Sequence, residues 1–470
     1  MKRMNKKMLA VMIVLFCSFF LSSCASTKKE EELVLRIANW EEYIDEGSWD
    51  DEEVIELEDG TKIFGENSMI DDFETWYEKT YGQKVRVEYS TFGTNEDLYN
   101  QMTLGDSFDL ICPSEYMMMK LMKEKKLEPY SEHFFDTNEK NNYYSRGVSP
   151  YIKKVFDDLQ IGGECLSRYG TGYMWGVMGI VYNPQEVSDE DVKHWSMLLD
   201  KKYYRRITMK DSIRDSYLVA LGILHEKQFM SKEFMKSADY KDRLTSMMND
   251  TSQITVDKVE KILDAMRNNA YSLETDSGKA DMVTGKVVAN MQWSGDGAYT
   301  MDQAEEDGLE LSYAVPEGCS NLWFDGFCMI KDGIAGDEEK KKAAEAFVNF
   351  LARPDNVIRN MYYVGYTSAI AGGESDWLFQ YADWCFGAEE EEEDTTEYSL
   401  AYFFTDSTEK KEQEKYILDV PTSEINRQVF AQYPSADVLH RSAVMACFDE
   451  EANKRISKMW INIRCFDGFS

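Results

Sequence analysis

The chain switches repeatedly between strand and helix periodicity, and this alternation limits its fold more than any single motif does. LVLRIANW (33–40) reads as a buried strand. From Met69, the residues Met69, Ile70, Phe73, Trp76 and Tyr77 recur at helical spacing until Gly82 closes the element. KVRVEYS (84–90) alternates as a strand, and TNEDLYNQM opens another helix. FDLICPSEY (108–116) is a strand running into a turn, followed by the helical MMMKLMKEKKL. Strand–helix–strand–helix order predicts a mostly parallel sheet covered on both faces. A second tract of the same texture starts near residue 150. There YMWGVMGIVYN (173–183) reads as a central strand pair, 210–224 and 256–269 as helices, and VVANMQW (287–293) as a strand. LELSYAVPEG and WFDGFCMI are extended, DEEKKKAAEAFVNFLARPDN is a helix stopped near Pro354, and 447–460 is helical. The 470 residues suffice for two domains. No linker rich in Gly or Pro separates the tracts, which fits two lobes joined by chain crossings.

The N-terminus is a different kind of sequence. Lys2, Arg3, Lys6 and Lys7 precede an apolar run from Leu9 to Leu21, too short to span a bilayer comfortably but suited to the core of an export signal. LSSC (21–24), followed by the polar ASTKKE, resembles the lipobox of bacterial lipoproteins, in which cleavage precedes the cysteine and the cysteine carries lipid. Residues 1–23 are therefore expected to be a signal peptide, Cys24 the lipidated residue and 24–32 a polar tether. A multiply acylated cysteine holds stably where a single chain would not. Loss of the four bases takes the formal charge from −34 to −38. Such a surface repels nucleic acid and anionic lipid and favours cationic partners, although solubility alone accounts for charge in bulk.

Seven cysteines remain after the signal and Cys24: Cys112, Cys165, Cys319, Cys328, Cys385, Cys447 and Cys465. With no CxxC pair, most read as small buried hydrophobes, and spacing does not place one or two bridges among them. The four histidines are scattered, so a metal site has little support. Six consecutive acids at 389–394 repel one another and form a solvated loop. No phosphate loop and no paired nucleophile and base are present, which argues against an enzyme and against a cofactor.

NLWFDGF (321–327) carries the chemistry. A strand turns successive side chains to opposite faces, so Trp323 and Asp325 share one face and Phe324 points the other way. A ring beside an ionised acid is either a satisfied structural acid or a pocket for an organic cation.

Eight short segments, in this order, resemble the spermidine/putrescine-binding protein family, the solute receptors of polyamine ABC importers. They are IANWEEY (37–43), FDLICPSEY (108–116), YMWGVMGIVYN (173–183), KDSIRD (210–215), NMQWSGDGAY (290–299), NLWFDGFCMI (321–330), FVNFLARPDN (347–356) and VGYTSAI (364–370). The resemblance implies a two-lobed α/β periplasmic-binding-protein-like fold of type II, each lobe a mostly parallel sheet flanked by helices, with the ligand cleft between them. Lobe 1 is expected from 33–150 and 297–385 and lobe 2 from 151–296. An acidic surface insertion is expected over 386–415, and C-terminal helices packing across the lobes over 416–470. Residues 45–68 also look like extra surface.

The implied guest is spermidine or putrescine, passed by a monomeric receptor to a membrane permease. Carried over by motif, the polyamine-binding residues are Trp40, Tyr43, Ser114, Tyr116, Asp215, Trp293, Trp323, Asp325 and Tyr366, with Glu42, Glu115, Asp211, Ser212 and Asp296 as additional candidates. Aromatic faces cover the methylenes and attract cations, and carboxylates take the ammonium charges. Structural alternatives stand beside each role. Trp40 follows a buried strand, Tyr116 and Tyr366 lie at turns, and an acid such as Asp215 is favourable in any first helical turn. Two departures from the family pattern stand out. Ser212 replaces one member of an acidic pair, which Asp211 would have to compensate, and no polar group is found near Met445. A receptor of this fold for another organic cation, an amino-acid derivative using Arg214 or a sugar therefore stays open, as does an exported enzyme or adhesion protein.

Overall fold

The structure, a computed structural model, describes residues 33–50, 53–389 and 394–465. The expected signal peptide, Cys24 and the expected tether lie outside them. β1 (Leu33–Trp40) leads through α1 (Met69–Tyr81) to β2 (Val85–Phe92), then α2 (Asn95–Leu104), β3 (Leu110–Ile111) and α3 (Glu115–Lys123). α1 starts where the Ser68 side chain accepts from the backbone N–H of Asp71 and ends at left-handed Gly82. β4 (Gly170–Tyr182) follows, then β5 (Ile207–Lys210), α4 (Ile213–Phe229), α5 (Gln253–Asn269), β6 (Ser272–Glu274), β7 (Ala289–Trp293) and α6 (Ser294–Glu306). β8 (Ser320–Ile330), α7 (Glu338–Leu351), α8 (Pro354–Val364) and α9 (Glu450–Cys465) complete the frame.

The strands run β6-β5-β7-β4-β8-β3-β1-β2. At one end β1 pairs in parallel with β2 and β3, and at the other β5 pairs in parallel with β6 and β7. The central strands are antiparallel to their neighbours, so each lobe has a mixed sheet with a parallel outer trio. β4 and β8 serve both lobes. The first part of β4 pairs with β8, and Met178 to Tyr182 pair with β7. The expected strand pair over 173–183 is thus one continuous strand. Its glycines punctuate the sequence like a turn, yet they lie in extended backbone because neighbours press too close for a side chain. A Cβ at Gly176 would fall 2.2 Å from Ser294 Oγ.

Every residue of β4 and β8 is buried, so these crossings run through the core. On one face of β8, Phe324 stacks on Trp175 at 6.3 Å and meets Phe156 edge-on. The other face is left for Trp323 and Asp325.

Two segments expected at the surface contribute to the core, and a third expected to be helical is only partly so. Residues 45–68 bury Asp45, Ile55, Leu57 and Ile63, and Asp45 is held by Arg359 of α8. Residues 386–415 bury Leu400 and Phe403, and the Phe403 carbonyl accepts from Ser149 Oγ at 2.6 Å. The stretch 416–470 is partly extended: 417–421 pairs with 395–399, and Ser442–Ala443 extend β8 at Ser320–Asn321. Its long helix, α9, lies on α5, where Arg267 donates to the Ile463 carbonyl at 2.9 Å. All seven described cysteines are unpaired.

Candidate functional site

The sheet order brings β1, the start of α3 and β8 to one wall of the cleft. The ends of β5 and β7 and the starts of α4 and α6 form the other. Asp325 is the centre of the first wall. A β-bulge between Asp325 and Gly326 breaks the register with β4 and re-aims the strand. A side chain at Gly326 would place its Cβ 2.1 Å from the Thr171 carbonyl oxygen.

Asp325 Oδ2 accepts from the Tyr43 hydroxyl at 2.9 Å and Oδ1 from Ser114 Oγ at 2.6 Å. Asn95 fixes the direction of the second bond, because its Nδ2 donates to Ser114 Oγ at 3.0 Å. The serine proton is thereby left for the carboxylate. Four rings cluster around this acid. Tyr366 meets Tyr43 at 5.3 Å and Trp323 at 5.6 Å, both edge-on, and Tyr43 meets Tyr173 at 5.5 Å. Glu115 is fully buried, with Oε2 accepting from the Phe324 N–H at 2.9 Å and Oε1 without a partner. Burial pushes Asp325 up to about 7, helped by the nearby charge of Asp215 and opposed by its two hydroxyl donors. Burial likewise pushes Glu115 up to about 8.

On the second wall Ser212 caps α4, donating to Asp215 Oδ2 at 2.6 Å, and the Trp293 indole N–H also bonds Asp215. Burial raises the Asp215 pKa, and Lys210 and Arg214 oppose that rise. Asp296 accepts from the Tyr366 hydroxyl at 2.8 Å, which ties the two walls together. Gly295 permits this contact, since a Cβ there would sit 2.3 Å from the Tyr366 ring. Arg214 also crosses the cleft. Its guanidinium lies 4.1 Å from the Tyr116 ring and 3.9 Å from that of Phe448, and it donates to the Ala446 carbonyl at 2.7 Å. Near Met445, where the sequence lacks the polar group of the family pattern, the Ala446 carbonyl and the Phe448 ring hold Arg214 instead.

The geometry thus gathers Tyr43, Ser114, Glu115, Trp323, Asp325 and Tyr366 on one wall, with Ser212, Asp215, Trp293 and Asp296 opposite. It does not gather them all. Trp40 packs on Phe92 at 4.8 Å, and its indole N–H is buried without a partner. Tyr116 donates to Glu96 at 3.3 Å and is covered by Arg214. Glu42 is exposed, in a left-handed conformation at φ 53°. Asp211 does not compensate for Ser212: it turns to Arg464, 3.0 Å away.

Arg214 is committed to two rings and a carbonyl, which leaves it poorly disposed to hold a ligand carboxylate. Two site residues, Lys210 and Glu274, escaped the sequence reading. The available signal was a lysine ending a strand two residues before the capping serine of α4.

Two α/β lobes crossed by continuous strands, with side chains from both meeting in the cleft, define a non-catalytic solute receptor of the kind that serves ABC transporters outside the cytoplasm. A family model described as bacterial extracellular solute-binding protein matches residues 68–380, and the chain belongs to that family. It is 22% identical over 382 residues to the putrescine-binding periplasmic protein PotF of Escherichia coli (strain K12), covering 78% of this chain and 86% of that protein. A putrescine/agmatine-binding protein of Pseudomonas aeruginosa is 22% identical over 303 residues, covering 60% of this chain and 71% of that one. Among solved structures, a putative spermidine/putrescine ABC transporter from Listeria monocytogenes has a TM-score of 0.61 at 21% identity, covering 92% of this chain and 99% of that one. The substrate-binding protein PotD from Streptococcus pneumoniae has a TM-score of 0.56 at 21% identity, with the same coverage. These likenesses confirm the two-lobed fold.

Proposed function

We propose that the protein captures a linear polyamine, putrescine or spermidine, and delivers it to the permease of an ABC importer, acting as a monomer tethered through lipidated Cys24. The observation that carries this reading is Asp325, a carboxylate buried among aromatic rings. Among the described residues no lysine or arginine forms an ion pair with it, and a second buried acid, Asp215, stands on the opposite wall. Two acids that raise each other's cost of ionisation are relieved together by a guest with two ammonium groups. Trp323, Tyr43 and Tyr366 would cover its methylenes, at about 0.5–2 kcal/mol per cation–ring contact. Because the walls come from different lobes, such a guest binds the closed form better and shifts the population towards it.

Calorimetry against putrescine, spermidine, agmatine, a monoamine and a neutral diol tests this. Saturable binding of a di- or triamine is expected; binding of none of them would remove the reading.

A pH dependence follows from the raised carboxyls. An ammonium needs Asp325 ionised, so protons compete below about 7. Affinity should fall by up to about tenfold per pH unit under that value. Binding near pH 6.5 should release protons, which appears as a dependence of the calorimetric heat on the buffer's ionisation enthalpy. The empty protein should show the opposite trend. A carboxyl raised by folding costs no stability below its unfolded pKa and progressively more as pH rises to the folded value. For Asp325 and Glu115 the loss runs from ordinary values of 3.8 and 4.5 to about 7 and 8. The rise in melting temperature on adding ligand should therefore be larger at pH 8 than at pH 6.

A further inference from the structure

Lys210 ends β5 with its side chain fully buried at the cleft. Its ammonium donates to the Thr275 carbonyl at 2.8 Å and lies 3.5 Å from Glu274 Oε1 and 3.7 Å from Asp296 Oδ2. The Trp293 ring centroid is 4.3 Å away. A carbonyl, two carboxylates and an indole face are the groups that would recognise a guest ammonium, and here they enclose one belonging to the chain. The acids are engaged elsewhere as well, with Glu274 Oε2 accepting from the Gly278 N–H at 3.0 Å and Asp296 Oδ1 from Tyr366 at 2.8 Å. One face of Trp293 is therefore taken, and its N–H is held by Asp215. A buried lysine is seldom retained where packing alone would serve, since its desolvation costs several kcal/mol before pairing repays it.

Resting on the polyamine reading above, we propose that Lys210 is an internal ammonium occupying the cation position beyond Asp215, so that the receptor selects a diamine over a triamine. A diamine needs only Asp325 and Asp215. A longer chain running past Trp293 would bring its next ammonium to Glu274 and Asp296, where Lys210, together with Lys279 at 3.8 Å from Asp296 Oδ1, already neutralises the acids and repels a further cation.

The test compares putrescine with spermidine by calorimetry on the full-length mature protein, on Lys210→Met and on the double variant Lys210→Met with Glu274→Gln. The double variant keeps the socket's charge balanced and covers the case in which the single change fails to fold. The native protein is expected to prefer putrescine by about tenfold or more. The ratio should shift towards spermidine by about tenfold or more in Lys210→Met, and in the same direction by about threefold in the double variant, which also loses one of the socket's acids. Spermidine binding to the native protein as tightly as putrescine overturns the proposal on the native chain alone. So does an unchanged ratio in a folded variant. Neither result touches the polyamine reading, whereas failure of the native protein to bind any amine overturns both.

Discussion

Asp325→Asn should weaken putrescine binding on the order of a hundredfold or more while leaving the fold intact. Removing one partner of a desolvated charge pair costs about 2–5 kcal/mol, because the other charge stays buried without compensation. Asparagine has the shape of the carboxyl it replaces. Its Oδ1 can accept from Ser114, and its amide can donate to the Tyr43 oxygen, so the hydroxyls now 2.6 and 2.9 Å from the acid keep partners. The variant also removes a carboxyl that burial raises to about 7, whose ionisation above that pH costs stability. It should therefore melt no lower than the native protein at pH 8 in the absence of amine. Loss of binding together with unchanged or raised thermal stability would identify Asp325 as a ligand contact. Retained affinity would leave it a structural acid, the alternative that NLWFDGF raised from the start. Calorimetry and thermal scans on the same preparations decide between the two.

Arg359→Met is expected to lower stability by about 3–5 kcal/mol, the cost of breaking a buried ion pair from one side. Arg359 is 7% exposed at its side chain and Asp45 not at all. Its Nε donates to Asp45 Oδ2 at 2.8 Å, one terminal nitrogen to Asp72 at 2.7 Å and the other to the Asn67 carbonyl at 2.9 Å. One side chain thus fastens α8, the start of α1 and the 45–68 segment together, and Tyr43 of the cleft lies two residues before Asp45. Methionine fills much of the space but leaves Asp45 without its cation. Adding Asp45→Asn to the variant should recover part of the loss, since the uncompensated charge rather than the missing contact dominates it. A melting point within about 2 °C of the native value would contradict this account.

Much of the frame is legible from local pattern. The spacing of Phe73 and Tyr77, the Ser68 cap and Gly82 specify α1 without reference to anything distant. The alternation in WFD places Trp323 and Asp325 opposite Phe324 because a strand has a period of two wherever it lies. The run over 173–183 misleads for an instructive reason: its glycines look like turn residues until Ser294 and Trp323 are seen pressing on Gly176. Asp211 and Asp215 look equivalent in KDSIRD, yet Asp215 bonds Trp293 on its own wall of the cleft and Asp211 pairs with Arg464 of α9.

By itself the sequence determined the alternation of strands and helices, the caps that end them, the supply of rings and acids and the side of β8 from which they project. These depend on residues within one or two turns of each other, and local sterics and hydrogen bonding are written in consecutive letters. Tertiary structure alone decided that Asp325 would be shared by residues 282 and 211 positions away, and that Lys210 would occupy a socket made from three other elements. Those outcomes depend on strand order and on which charges lose their water together, and desolvation is a property of the assembled neighbourhood rather than of any residue in it.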